Sequence, residues 1–215
     1  MRNRLLWTFL LSAAAVAWAI DLQWENAVLA VAHREYGVAG HARVRQWLDF
    51  MRGAQALSEQ AKLRAVNQYF NHLPNVSDED RWGRRDYWAT PLELLGGNGG
   101  DCEDFVIAKY FSLRELGVAD DKLQFAYVKA YLRATGEVQS HMVLAYYPTP
   151  GDEPYLLDSL TSSISTASKR TDLIPTYSFP ANRLWAARQR TAGRMDGEQP
   201  DMLRDLMHRM ARKME

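Results

Sequence analysis

The sequence predicts an α+β fold in which N-terminal helices precede one central buried helix and an antiparallel β-sheet. Three observations predict it. Apolar residues recur at helical spacing between Asp21 and about Phe70. The stretch from Cys102 to Leu116 is apolar around most of a helical circumference. Leu123 to Leu132 and His141 to Tyr147, both rich in Val, Tyr, Phe and Leu, flank the turn residues Ala134-Thr135-Gly136-Glu137.

In chain order, Val28, Val31 and Ala32 form a first apolar stripe, Val44, Trp47, Leu48 and Met51 a second, and Leu63, Val66 and Phe70 a third. Gly37, Gly40 and Gly53 punctuate them, and Leu73-Pro74-Asn75 closes the last. Ser77 to Asp86 reads as a charged loop leading to Tyr87-Trp88-Ala89-Thr90-Pro91. Gly96-Gly97-Asn98-Gly99-Gly100 is too glycine-rich for a regular element and reads as a tight turn where backbone approaches something closely. The central helix follows, with Gly117 placed to close it. After the hairpin, Pro148 to Gly151 makes a turn into a third strand at about Tyr155 to Asp158, and Ser159 to Thr171 is Ser/Thr-rich without pattern. Met202, Leu203, Leu206, Met207 and Met210 share one face of a charged C-terminal helix, which packs on the body or on a partner.

The 215 residues suit one domain with a substantial core, and 47% hydrophobic with 24% charged residues excludes wholesale disorder and a polytopic membrane protein. Lys+Arg 26 against Asp+Glu 26 lacks the broad basic footprint of a nucleic-acid binder, so no nucleic-acid partner is expected. Arg2 and Arg4 precede an apolar run from Leu5 to Ala19, and Ala17-Trp18-Ala19 has the small-x-small form of a signal-peptidase site. The run is about 15 residues, short of the ~20 that span a bilayer. We therefore expect residues 1–19 to be a cleaved signal peptide, residues 20–215 a single domain, and the mature protein, slightly acidic, to be exported.

Export makes the lone cysteine informative. Cys102 has no intrachain disulfide partner, so it is either buried and inert or retained for its chemistry. It opens a helix just after the glycine-rich turn, where amide dipoles favour thiolate and unpaired N–H groups can receive an oxyanion. A thiolate nucleophile needs a base. Of His33, His41, His72, His141 and His208, only His141 lies in a strand after that helix. If Pro148 to Gly151 is a tight turn, Asp158 falls opposite His141, or on the diagonal with the register shifted by two, and in both cases on its face. Taken singly, His141 could be a satisfied core histidine and Asp158 a strand-end cap. The three together form a nucleophile, base and orienter in a helix-then-hairpin order.

Trp88-Ala89-Thr90-Pro91-Leu92-Glu93, Gly100-Asp101-Cys102-Glu103-Asp104 running into Ala108-Lys109-Tyr110-Phe111 and Leu113 to Gly117, His141-Met142-Val143-Leu144 and Leu157-Asp158-Ser159-Leu160 resemble the bacterial transglutaminase-like cysteine proteinases. The resemblance is dense from Trp88 to Leu160 and looser over the N-terminal helices. It implies a papain-like or transglutaminase-like core with Cys102 as nucleophile, His141 as base and Asp158 as orienter. It further implies a periplasmic endopeptidase that cuts a large repeat adhesin near its N-terminus at an alanine-containing site and so promotes biofilm dispersal. The family requires calcium and is sequestered by an inner-membrane receptor of cyclic di-GMP; the nucleotide binds the receptor, and none is expected here.

Asp101, Glu103 and Asp104 crowd the turn around Cys102, and uncompensated they would raise the thiol pKa. A calcium ion would remove that conflict, with Asp101 and Glu103 the leading ligands and Asp104 the third. The plainer alternative is that these acids complement a helix N-terminus. Trp88 either lines a substrate groove or packs in the core. Two further functions remain open: a transglutaminase resolving the same thioester with an amine, and a noncatalytic binding module. The tail beyond Trp185 suggests no function.

Overall fold

The computed structural model describes residues 3–180, 205, 206 and 208–210, with side chains from Trp24 onward. Helix α1 (Asn3–Ala54) is interrupted at Gly37, whose φ of 65° falls in the left-handed region that favours glycine. Gly40 and Gly53, expected to punctuate, instead continue the helix. Helix α2 (Glu59–Phe70) turns Leu63, Val66 and Phe70 into the core, as their spacing predicts. Among the described residues no helix is long and apolar enough to cross a membrane.

Two local expectations are corrected. The charged segment after Ser77 holds a short helix, α3 (Asp78–Trp82): the Ser77 hydroxyl caps it by accepting from the Asp80 amide, and three acids fill its first turn. The glycine-rich run is only half a turn, because α4 (Pro91–Gly97) continues through Gly96 and Gly97 before Asn98 turns left-handed. Thr90 and Glu93 form a capping box at the start of α4, with Pro91 in the first turn.

Helix α5 (Cys102–Glu115) is the central helix and packs against α2, α4 and the sheet. Phe105, Val106, Ile107, Ala108, Tyr110 and Leu113 are all buried. Burial of a side chain such as Ile107 stabilises the fold by ~1.5–3 kcal/mol, and cutting it to alanine would cost about 2–5 kcal/mol. The helix ends where Gly117, at φ 87°, hydrogen-bonds back to Arg114.

Strands β1 (Leu123–Leu132), β2 (Glu137–Tyr146), β3 (Tyr155–Leu157), β4 (Ser165–Thr166) and β5 (Leu173–Pro180) form one antiparallel sheet in the order β4-β3-β2-β1-β5. Met142, Leu144, Tyr146, Leu123 and Phe125 join the helical core on one face, while Val128, Ala130, Val143, Ala145 and Leu156 form a smaller cluster on the other. Strands β4 and β5 are elements that the sequence pattern does not announce. Of the C-terminal apolar stripe, Leu206 is fully buried and Met210 packs on the main core. Met202, Leu203 and Met207 lie outside the described residues.

Candidate active site and its acid cluster

The turn into α5 is gripped from two sides. The Arg43 guanidinium donates to the Leu95 carbonyl (2.7 Å) and to that of Gly96, while Arg81 donates to that of Gly97. The close approach expected here is real: a Cβ on Gly96 would lie 2.3 Å from the Tyr36 ring. The chain then enters α5 through Asp101, an N-cap whose side chain makes no cap hydrogen bond.

Cys102 is the only cysteine and is half-buried at the first position of α5. Its thiol donates to Glu103 Oε2 at 2.9 Å, and the Met142 backbone amide donates to the sulfur. Cys102 therefore meets strand β2 one residue from His141. Burial, with the charges of Glu103 and Asp101, pushes the thiol well above its ordinary range, against the pull of the Met142 amide. The lowering expected from the helix N-terminus is thus outweighed in the uncompensated site, for the reason the sequence already suggested.

His141 and Asp158 are brought together. The pairing of Leu144 with Leu157 and Ala145 with Leu156 continues to place Asp158 beside Val143, on the diagonal from His141 and on the same face. His141 Nε2 lies 2.7 Å from Asp158 Oδ1, with both residues buried. The Leu160 amide donates to the same oxygen at 2.9 Å, Arg170 pairs with Oδ2 at 2.7 Å, and Asn71 Nδ2 donates to the Asp158 carbonyl at 2.7 Å. Burial pushes the Asp158 carboxyl up, but His141, the Leu160 amide and Arg170 outweigh it and hold it down at about 2. The other histidines are elsewhere: His33, His72 and His208 are exposed, and His41 lies on α1.

On the other side of Cys102 the predicted acids gather with two more. Oxygens of Asp78, Asp101 and Asp104 lie within 4.8 Å of one another, as do those of Asp78, Asp86 and Glu103. Asp78 and Asp104 are each held by one oxygen and offer the other. Tyr87 N donates to Asp78 Oδ2 (2.5 Å) and Ala89 N to Asp104 Oδ1 (2.6 Å), whereas Asp78 Oδ1, Asp104 Oδ2 and Asp101 Oδ1 are buried without a hydrogen-bond partner. Burial, reinforced by neighbouring acids, raises Asp78 to about 6 and Asp101 to about 10, and raises Asp104 strongly as well. A Cβ on Gly100 would stand 2.2 Å from Asp104 Oδ2, so only glycine leaves room for that carboxylate. Hard oxygen donors, buried and unpartnered, fit a calcium-type cation.

Sequence reasoning misses Asp78 and Asp86, which lie more than fifteen residues before Cys102 in the charged segment, and Arg170 and Asn71, which reach Asp158 from distant elements. Only Ser77 followed by Asp80, a capping pattern, signals that this segment is structured. Trp88 is a core aromatic at 2% exposure, not a groove wall.

A central helix that opens on a cysteine, packed on an antiparallel sheet carrying a His–Asp pair, defines a papain-like or transglutaminase-like cysteine protease architecture. Residues 34–180 match the family described as bacterial transglutaminase-like cysteine proteinase, and the chain belongs to that family. It is similar to LapG of Legionella pneumophila, at 32% identity over 89% of this chain and 97% of that one, with a TM-score of 0.66. Calcium-bound LapG from the same organism shares 36% identity over 86% and 98% of the two chains (TM-score 0.68). The EGTA-treated form shares 34% over 86% and 97% (TM-score 0.68). No curated protein sequence matches the chain. The protein is thus a LapG-like cysteine protease.

Proposed function

We propose that the protein is a calcium-dependent, periplasmic cysteine endopeptidase acting through a Cys102–His141–Asp158 triad. The observation that carries this is the sole cysteine at the start of α5, where it meets strand β2 beside His141 of the buried His141–Asp158 pair and adjoins a cluster of carboxylates. Asp158 holds His141 by Nε2, which leaves Nδ1 as the nitrogen that exchanges a proton with the thiol. The Cys102 sulfur attacks the scissile carbonyl, its proton passes to His141, and the oxyanion meets N–H groups of the first turn of α5. His141 then protonates the leaving amine as the C–N bond breaks. Water, deprotonated by His141, hydrolyses the thioester and restores the thiol.

Asp78, Asp101, Glu103 and Asp104, with Asp86, are the residues that would hold calcium. Bound there, the ion supplies the positive charge that neutralises the carboxylates around the nucleophile. Glu103, which accepts the thiol hydrogen, would be one of these ligands, and His141 would be the base for the thiol. That LapG of Legionella pneumophila has a calcium-bound and an EGTA-treated form supports calcium as the ion.

The substrate is the N-terminal region of a large repeat adhesin, cut at an alanine-containing site to release it and disperse biofilm. An inner-membrane receptor of cyclic di-GMP is the inhibitory partner. The resemblance to the family is what supports both, and Arg2, Arg4 and the apolar run ending at Ala19 are what support export. The test is cleavage of the N-terminal segment of a candidate adhesin from the same genome by wild type and Cys102→Ala, each with calcium and with EGTA. Cutting by wild type alone, abolished by EGTA, is the expected result. Cutting that survives EGTA would leave the triad and remove the calcium requirement. A thioester trapped by a labelled amine without cleavage would favour transamidation.

A further inference from the structure

Tyr87, Trp88 and Ala89 form a strap whose two sides face different things. Toward the acid cluster, the strap donates the Tyr87 amide to Asp78 and the Ala89 amide to Asp104. These bonds decide which oxygen of each carboxylate is occupied and which is offered. Among the described residues of the C-terminal helix, Arg209 grips the other side. Arg209 Nη2 donates to the Trp88 carbonyl at 2.5 Å, and its guanidinium stacks over the Tyr87 ring at 4.3 Å. Its Nη1 pairs with Glu93, the residue that completes the capping box of α4 directly after the strap. Nε donates to Asp205 at 2.8 Å, so the fork is oriented from its own helix. Arg209 is 12% exposed, and Leu206, one turn earlier, is fully buried and fixes the helix on the body.

We propose that the C-terminal helix is a latch for the cation site, with Arg209 a positioning residue that holds the Tyr87–Ala89 strap so that Asp78 and Asp104 present their open oxygens together. This gives a role to the charged C-terminal segment that the protease chemistry leaves without one. Arg209 touches neither the carboxylates nor Cys102 in any contact described above; it acts through the strap. A guanidinium suits the task because it satisfies a carbonyl, a carboxylate and an aromatic face at once, which an ammonium cannot. Loss of such a supporting contact ordinarily weakens metal binding by about 10–100-fold while leaving the ligands in place.

The inference rests on the calcium reading of the acid cluster and is tested on binding, independently of proteolysis. Calcium affinity of the full-length protein is measured by isothermal titration for wild type, Arg209→Met and Arg209→Lys, alongside far-UV circular dichroism and melting of the metal-free proteins. Arg209→Met should fold and bind calcium about tenfold more weakly or worse. Arg209→Lys keeps the ion pair with Glu93 but not the fork, and should fall between the two. Affinities of both variants within twofold of wild type would overturn the latch and leave the calcium site standing. A wild type that binds no calcium would overturn the calcium reading first, and the latch with it. If Arg209→Met does not fold, Arg209→Lys alone decides: an undiminished affinity overturns the latch and a diminished one supports it.

Discussion

Two sets of carboxylates flank Cys102, and both are buried, yet they are built in opposite ways. Asp158 is completely inaccessible and its carboxyl is held down at about 2, because His141, the Leu160 amide and Arg170 converge on it. Asp104 is equally inaccessible and its carboxyl is driven strongly up, because burial, reinforced by the acids Asp78 and Glu103, outweighs the amides of Ala89 and Asp101 that donate to it. Burial pushes both carboxyls up, and only the partners buried with Asp158 are strong enough to reverse it. The Asp158 side is a finished anion site that needs nothing further. The Asp78–Asp101–Asp104 side sets acid against acid, and a bound cation would complete it as His141 and Arg170 complete the other; Cys102 adjoins both, through Glu103 and through the Met142 amide.

The contrast can be broken most severely on the finished side. Asp158→Asn keeps the shape but removes the acceptor that fixes His141, and cleavage should fall by about 10²–10⁴-fold with little change in folding. Steady-state cleavage together with circular dichroism reads this, and an active variant would mean that Asp158 is structural. On the unfinished side, Asp78→Asn should lower calcium affinity by about 100-fold, because it removes a charged ligand shared by both carboxylate groupings. The same variant should raise the melting temperature of the metal-free protein, since one repelling charge is gone. Calorimetry with and without calcium measures both.

A milder perturbation is Gly100→Ala, whose methyl group meets Asp104 Oδ2. It should cost about 1–3 kcal/mol and weaken calcium binding, seen as a melting point lower by several degrees. The smallest effect is one of pH. The folded acid cluster holds protons that the unfolded chain has already released, so raising the pH costs the folded state. That window opens above the ordinary carboxyl value near 4 and runs through about 6 for Asp78 toward about 10 for Asp101. Metal-free protein should therefore melt lower at pH 8 than at pH 5, and calcium should cancel the difference. Asp158 has the opposite sign, but its contribution changes only below pH 4 and leaves this window alone.

What the sequence reveals follows the range of the interactions. The central helix is legible because its periodicity is local, and so is the β1–β2 hairpin with its turn. That His141 and Asp158 share a face is legible because the turn residues Pro148 to Gly151 mark the connection between their strands, whereas the choice of the diagonal over the directly opposite register is not. Strand β5 escapes because Pro175 and Pro180 mask its alternation; its position at the edge of the sheet tolerates them, and the register shifts where Pro175 pairs with Val128. Asp101, Glu103 and Asp104 announce an acid cluster by adjacency to Cys102. Asp78 and Asp86 join it only through α3 and the strap that follows, and Arg170 reaches Asp158 only after β4 has formed. No spacing in the sequence encodes those meetings.

The central claim is that the acid cluster keeps the nucleophile protonated until a cation compensates it. The most direct measurement is the rate of Cys102 alkylation by iodoacetamide at pH 7.5, with calcium and with EGTA, followed by mass; a single cysteine makes the product unambiguous. The account predicts that calcium accelerates alkylation by about tenfold or more, as thiolate replaces thiol. An equal or faster rate in EGTA would contradict it.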